Sequence, residues 1–213
     1  MKFNQDFKNE ALAALKGNWA PAVVASLVFI IISGCAGGVS YGAEKHPWLY
    51  GPYGLFSIFV LLPLGYGATI SFKKLLAEKD EDILGNLFRL ALGRNYLKIV
   101  WTMLLTNIYI FLWSLLFLVP GIIKSFSYAM TPYVLSDEPE LTANQAIDKS
   151  RAMMRGHKFD LFWLYLSFIG WGLLCILTLG IGFLWLMPYV ETSVSGFYAE
   201  VKSEYETKTS LGL

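Results

Sequence analysis

Long stretches without charge alternate with short charged segments along the chain. Four of these stretches contain no Lys, Arg, Asp, Glu or His, and they are 25 to 30 residues long. A helix needs about 20 apolar residues to cross the hydrocarbon core of a bilayer. The pattern therefore predicts an all-α integral membrane protein with at least four crossings. The stretches are residues 17–43, 47–72, 99–123 and 161–190.

Two turns containing glycine raise the predicted number of transmembrane helices to six. Pro120-Gly121 ends the third stretch, and Gly180-Ile181-Gly182 interrupts the fourth, so both places favour a helical hairpin. In short loops, Lys and Arg are enriched on the cytoplasmic side of the membrane. With six spans, all cations except Lys45 and Lys124 lie on that side, and both termini are cytoplasmic. The predicted spans are 19–42, 51–74, 97–119, 121–137, 160–179 and 183–200.

A degenerate repeat accompanies the three hairpins. Each hairpin is predicted to follow a cytoplasmic interfacial amphipathic helix that ends in Gly and an aromatic residue. The third such helix begins with the capping-box pattern Thr142-Ala143-Asn144-Gln145. Each even-numbered span contains a proline that is expected to kink it, namely Pro63, Pro132 and Pro188. The repeats cover 1–74, 75–138 and 139–203 of a single membrane domain, and 204–213 form a cytoplasmic tail.

Three segments of the chain carry a resemblance to a known family. They are PGIIKSFSYAMTPYVL at 120–135, AIDKSR at 146–151 and MRGHKF at 154–159. Together they resemble the bacterial integral membrane family called domain of unknown function 975, over about residues 9–204. The region 120–159 is also similar to the membrane domain attached to some bacterial glycerophosphodiester phosphodiesterases. The resemblance implies a six-span protein of the bacterial inner membrane and supplies no catalytic residues.

The composition agrees with a membrane protein and argues against several classes of function. The chain is 55% hydrophobic and 15% charged, with a mean hydropathy of +0.50 and a net charge of +1. No basic surface is large enough to predict nucleic acid as a partner. We find no dinucleotide or phosphate loop and no His/Cys cluster, so neither a cofactor nor a metal site is expected.

Two short motifs leave less favoured alternatives open. Residues 38–42 match the G-x-S-x-G pattern of serine hydrolases around Ser40, with His46 nearby in sequence. An intramembrane hydrolase is therefore a remote alternative. Ile32-Ser33-Gly34-Cys35 resembles a lipobox, but the long preceding region with Asp6 and Glu10 fits an uncleaved anchor better.

Polar residues inside the predicted spans are the candidate functional residues. Glu191 lies in the sixth span, where a carboxylate is costly unless it faces a cavity, the protein interior or a cation. Thr192 and Ser193 add polar surface beside it, and Lys124 is expected to extend to the outer interface. A small transporter or channel that uses the Glu191 region is one hypothesis.

A face of small residues on the first span is the strongest packing signal. Gly34, Gly38 and Gly42 are spaced four apart and are preceded by Ser26 and Ala22, which permits close approach of another helix. The partner is an internal helix by default, and a second copy or another membrane protein is the alternative. The favoured hypothesis is a non-enzymatic membrane module that binds lipid or a protein partner.

Overall fold

A computed structural model of the protein describes residues 2–46, 48 and 50–211, without the side chains of residues 35–45 and 118. This part of the chain contains helices and no strands, as the hydrophobic pattern predicts. The helices are α1 (Asn4–Leu15), α2 (Trp19–Lys45), α3 (Tyr50–Phe56), α4 (Leu62–Glu78), α5 (Ile83–Ala91), α6 (Tyr96–Leu116), α7 (Leu118–Tyr128), α8 (Thr131–Asp137), α9 (Ala143–Met153), α10 (Lys158–Leu166), α11 (Ile169–Leu177) and α12 (Phe183–Ser210).

Three helical segments are long and apolar enough to cross a membrane. They are Tyr50–Glu78, Tyr96–Leu116 and Lys158–Leu177. A fourth is possible if α1 and the first part of α2 form one span, although the two are bent by 101°. Helices compatible with a membrane protein are thus present, whereas the prediction of six spans in three hairpins stays a prediction.

The predicted fourth span is broken in the structure. It consists of α7, with 11 residues, and α8, with seven. At 1.5 Å per residue, α7 extends only about 16 Å. The Ser150 hydroxyl of α9 donates a hydrogen bond to the Ser127 carbonyl near the end of α7 (3.0 Å). Because α9 packs at this level, the segment is not one straight helix through a bilayer.

The two predicted hairpin turns differ in how they are built. The break between α6 and α7 lies at Phe117, where the backbone is extended, so Pro120 and Gly121 lie inside α7. Gly121 instead allows close packing, because a Cβ there would clash with Ser114 of α6. The second turn separates α11 from α12, with Gly180 at φ +88° and Gly182 directly before α12.

The three prolines occupy different positions in their helices. Pro63 begins α4 directly after a π-helical turn at Ser57–Leu61, and Pro132 begins α8. Pro132 lies in the first turn of α8, where a proline removes an N–H that would lack an intrahelical partner anyway. Pro63 lies inside the continuous helical segment Tyr50–Glu78, next to its π-helical turn. Pro188 lies inside α12, where its ring removes one backbone hydrogen bond.

The short helix α1 packs against the long helix α12 and against the end of α10. Phe7 of α1 contacts Phe197 of α12 edge to face, with 5.7 Å between ring centroids. The Lys8 ammonium group donates to the Ser167 carbonyl (2.8 Å), where α10 gives way to α11. The capping box predicted for α9 is confirmed, since Thr142 and Gln145 bond to each other's backbone N–H groups.

Burial divides the molecule into a packed region and an exposed apolar band. The buried core residues come mainly from α1, α5, α8, α9 and the adjoining parts of α4 and α12. Large apolar side chains are exposed mainly in four regions of the chain. These regions are 24–31, 48–60, 108–123 and 159–185.

Candidate functional site

Glu191 lies on α12 about one turn after Pro188. Its neighbours in sequence, Thr192 and Ser193, do not bond to its carboxylate. The Thr192 hydroxyl donates to the Pro188 carbonyl (2.7 Å), and the Ser193 hydroxyl donates to the Tyr189 carbonyl (2.8 Å). Both side chains are fully buried. Because they bond to their own helix, they do not provide the polar surface expected beside Glu191.

The hydrogen-bond partner of the Glu191 side chain comes from another helix. The Thr69 hydroxyl of α4 donates to a Glu191 carboxylate oxygen at 3.1 Å. Both residues line a cavity of about 180 Å³ between α2, α4 and α12. Sequence reasoning missed Thr69, although it is a hydroxyl residue inside an otherwise apolar stretch.

Ser26 of α2 also lines this cavity. Its side chain is only 3% exposed, and its hydroxyl oxygen has no hydrogen-bond partner in the structure. Buried hydroxyl groups are nearly always hydrogen-bonded, so an orphaned one needs an explanation. The sequence marks Ser26 only as part of a small packing face.

The charge of Glu191 is not balanced by a nearby cation. Among the side chains that the structure describes, no Lys, Arg or His forms an ion pair with it. A carboxylate removed from water without a counter-charge carries a large desolvation cost. The cavity is therefore lined by the Glu191 carboxylate, which has no counter-charge, by Thr69, which donates to it, and by Ser26, whose hydroxyl has no partner.

Asp137 at the end of α8 connects three helices. One carboxylate oxygen forms an ion pair with Lys73 of α4, while the other accepts bonds from Tyr198 (2.6 Å) and Lys202 (2.7 Å) of α12. Partial burial lowers the pKa of Lys202, but the hydrogen bond and charge of Asp137 outweigh it and raise that pKa overall. The Asp137 carboxylate is therefore bonded to three side chains from two other helices.

Aromatic contacts make this junction rigid. Tyr198 stacks on the fully buried Tyr133, with 4.8 Å between ring centroids. The Lys73 ammonium group also lies 5.4 Å from the centre of the Tyr198 ring. Since the Asp137 carboxylate is bonded to Lys73, Tyr198 and Lys202, the junction holds α4, α8 and α12 together.

Lys124 packs on an aromatic ring of the preceding helix. Its ammonium group lies 4.3 Å from the centre of the Trp113 ring. The positive charges of Arg151 and Lys158 also act on it. The external position predicted for Lys124 stays a prediction.

The small-residue face of α2 is packed at its beginning and open at Gly34. Ala22 and Ser26 are buried, but Gly34 is exposed and a Cβ there would meet no atom within 4 Å. Gly38 and Gly42 belong to α2 by their backbone, while their surroundings lie outside the described residues.

An apolar groove opens between the α1–α2 bend and the tips of α11 and α12. Its volume is about 440 Å³, and Trp19, Trp171, Trp185 and Tyr189 contribute aromatic rings to it. Leu12, Leu174, Leu186 and Cys175 also line it, and Cys175 is a buried free thiol. No Lys, Arg, Asp or Glu is among its lining residues.

The hydrolase motif has the wrong backbone for its proposed chemistry. Residues 38–42 are helical, whereas a nucleophile elbow requires a turn between a strand and a helix. The Ser40 side chain itself lies outside the described residues. Within the described part of the chain, no group of three or more His, Cys, Asp or Glu side chains could hold a metal ion.

Part of the chain matches a known protein family. Residues 115–205 match the family described as Protein of unknown function (DUF975). This segment is similar to the DUF975 family. The match is shorter than the expected 9–204, and the resemblance to glycerophosphodiester phosphodiesterase membrane domains is not shown. No curated protein and no solved structure matches the chain.

The DUF975 segment contains only part of each candidate site. Asp137 and Glu191 lie inside it, whereas Thr69 and Ser26 lie outside. The cavity is thus completed by helices that precede the family segment. The family description assigns no role to any residue, so the function must be argued from the geometry.

Proposed function

We propose that the protein is a non-enzymatic, multi-pass module of the bacterial cytoplasmic membrane that binds membrane lipid, with both termini in the cytoplasm. The observation that carries this proposal is the aromatic groove lined by Trp19, Trp171 and Trp185. The exposed apolar side chains on the candidate spans support a lipid environment around it.

The shape and chemistry of the groove fit a phospholipid acyl chain. A groove without charged lining residues gives no favourable contact to a polar solute, while aromatic and aliphatic walls give dispersion contacts to a hydrocarbon chain. The groove borders the bend between α1 and α2, where Trp19 is positioned. Tryptophan is enriched at the level of lipid head groups, so the bend suits the membrane interface.

Lipid retention in detergent tests this proposal. We expect native mass spectrometry of the purified protein to show at least one retained phospholipid. Replacing Trp171→Ala and Trp185→Ala together should remove it, because the groove loses two of its aromatic walls. The matched control is Trp101→Ala, an exposed tryptophan of α6 outside the groove.

Two results would contradict lipid binding in the groove. One is a wild-type protein that retains no phospholipid in a mild detergent. The other is equal retention by the double variant and by the Trp101→Ala control, which would place any bound lipid elsewhere on the apolar surface.

A further inference from the structure

The cavity around Glu191 is separate from the lipid groove and has its own chemistry. The polar residues that line it are Glu191, Thr69 and Ser26, and the Thr69 hydroxyl donates to the Glu191 carboxylate. From this arrangement we infer that the cavity is a binding site for a monovalent cation of the size of Na⁺. The ion would lie between the carboxylate and the two hydroxyl oxygens.

Charge balance favours a monovalent cation. One carboxylate neutralises one positive charge, whereas a divalent ion would leave an excess charge in a cavity that also contains Phe29, Phe72 and Met187. The Thr69 hydroxyl, which donates to the carboxylate, is neutral and supplies no positive charge to balance the acid.

The available oxygen atoms also favour a hard cation. The Ser26 hydroxyl has no partner and is buried beside the cavity, so its lone pairs are free to coordinate an ion. The Thr69 hydroxyl uses its proton in the bond to Glu191, which leaves its oxygen able to act as a ligand. Hydroxyl and carboxylate oxygens are the donors that hard cations prefer.

The volume permits the remaining ligands to be water. A water molecule occupies about 30 Å³ in the liquid, so a cavity of about 180 Å³ can hold an ion with several waters. Gly65, which lines the same cavity, adds no side chain to fill that space. This site does not depend on lipid binding, and it does not require that the protein transport the ion.

Thermal unfolding in detergent tests the site. NaCl is compared with choline chloride at equal ionic strength, because a ligand that binds only the folded state raises its stability. We expect Na⁺ to raise the melting temperature of the wild-type protein and not that of Glu191→Gln. In choline chloride, Glu191→Gln should melt no lower than wild type, since an amide carries no unbalanced charge.

Two variants test the hydroxyl ligands while leaving the acid in place. Thr69→Val and Ser26→Ala should each require about tenfold more Na⁺ for the same shift, as expected for the loss of one polar contact. The matched control is Ser71→Ala, because the Ser71 hydroxyl is buried on the same helix as Thr69 but bonds to the Gly67 carbonyl. This control should respond to Na⁺ like wild type.

Three outcomes would overturn the inference. The first is a wild-type protein whose melting temperature is the same in Na⁺ and choline, which would mean that protonation alone neutralises Glu191. The second is an undiminished Na⁺ shift in Glu191→Gln. The third is a Na⁺ requirement in Thr69→Val and Ser26→Ala equal to that of Ser71→Ala. Should Glu191→Gln fail to fold, the two hydroxyl variants decide the question, and phospholipid retention is unaffected by any of these results.

Discussion

At the residue scale, the most consequential side chain outside the cavity is the Asp137 carboxylate. It is surrounded by Lys73, Lys202 and Tyr198 from two different helices. Removing one partner of a partly buried ion pair leaves the others with unbalanced charge. The carboxylate therefore contributes to stability through the lysines that it neutralises.

Asp137→Asn should destabilise the protein by about 2 kcal/mol, at the lower end for a broken buried pair because these groups retain some contact with water. Denaturant unfolding in detergent measures the change. The control is Asp148→Asn, which removes an exposed ion pair with Arg151 (2.9 Å) and should cost less than about 0.5 kcal/mol. Equal effects of the two substitutions would show that the Asp137 junction adds nothing beyond a surface pair.

At the scale of elements, α4 and α5 pack so closely that a glycine is required between them. A Cβ at Gly67 would clash with the Leu87 backbone carbonyl oxygen, whereas a Cβ at Gly65 would meet nothing within 4 Å. The two glycines lie on the same helix, two residues apart. The contact explains why α5 packs against α4 instead of lying free on a membrane surface.

Gly67→Ala should destabilise the protein by about 1–3 kcal/mol, because the backbone of α5 must move to admit the methyl group. Gly65→Ala should be neutral or stabilising by up to about 1 kcal/mol, since alanine favours the helix. Unfolding of both variants under the same conditions provides the measurement. A Gly67→Ala protein as stable as Gly65→Ala would mean that α5 does not hold this close position.

The sequence predicted much of the helical structure but less of the site. Hydrophobic stretches located the long helices, and the Thr142–Gln145 pattern located the start of α9, because both signals are local. The kink predicted at Pro132 lies directly after the break at Ala129-Met130. Thr69 and Glu191 are 122 residues apart, so no local pattern could show that they meet at the same cavity.

At the scale of the whole molecule, the contacts of α7 bear on the predicted topology. The positive charges of Arg151 and Lys158 act on Lys124, and the Ser150 hydroxyl donates to the Ser127 carbonyl. The α7 helix thus ends where α9 packs. We therefore expect Lys124 on the same side of the membrane as Arg151 and Lys158, whereas the six-span prediction places it on the other side.

Cysteine labelling of sealed vesicles tests this placement. In a background with Cys35→Ser and Cys175→Ala, the variants Lys124→Cys, Arg151→Cys and Lys158→Cys should all react with an impermeant thiol reagent from the same side. Side chains that lie close together cannot be on opposite sides of a bilayer, because its hydrocarbon core is about 30 Å thick. Labelling of Lys124→Cys from the opposite side to the other two would refute the shared placement.

The attachment of α1 has a consequence for how the protein is made. Lys8 bonds to Ser167, which lies 159 residues later in the chain, and Phe7 packs on Phe197. Until these partners have been synthesised, the Phe7 side of α1 needs temporary cover by a chaperone or the bilayer surface. A nascent chain that stops before α10 would leave Phe7 and Lys8 without these contacts.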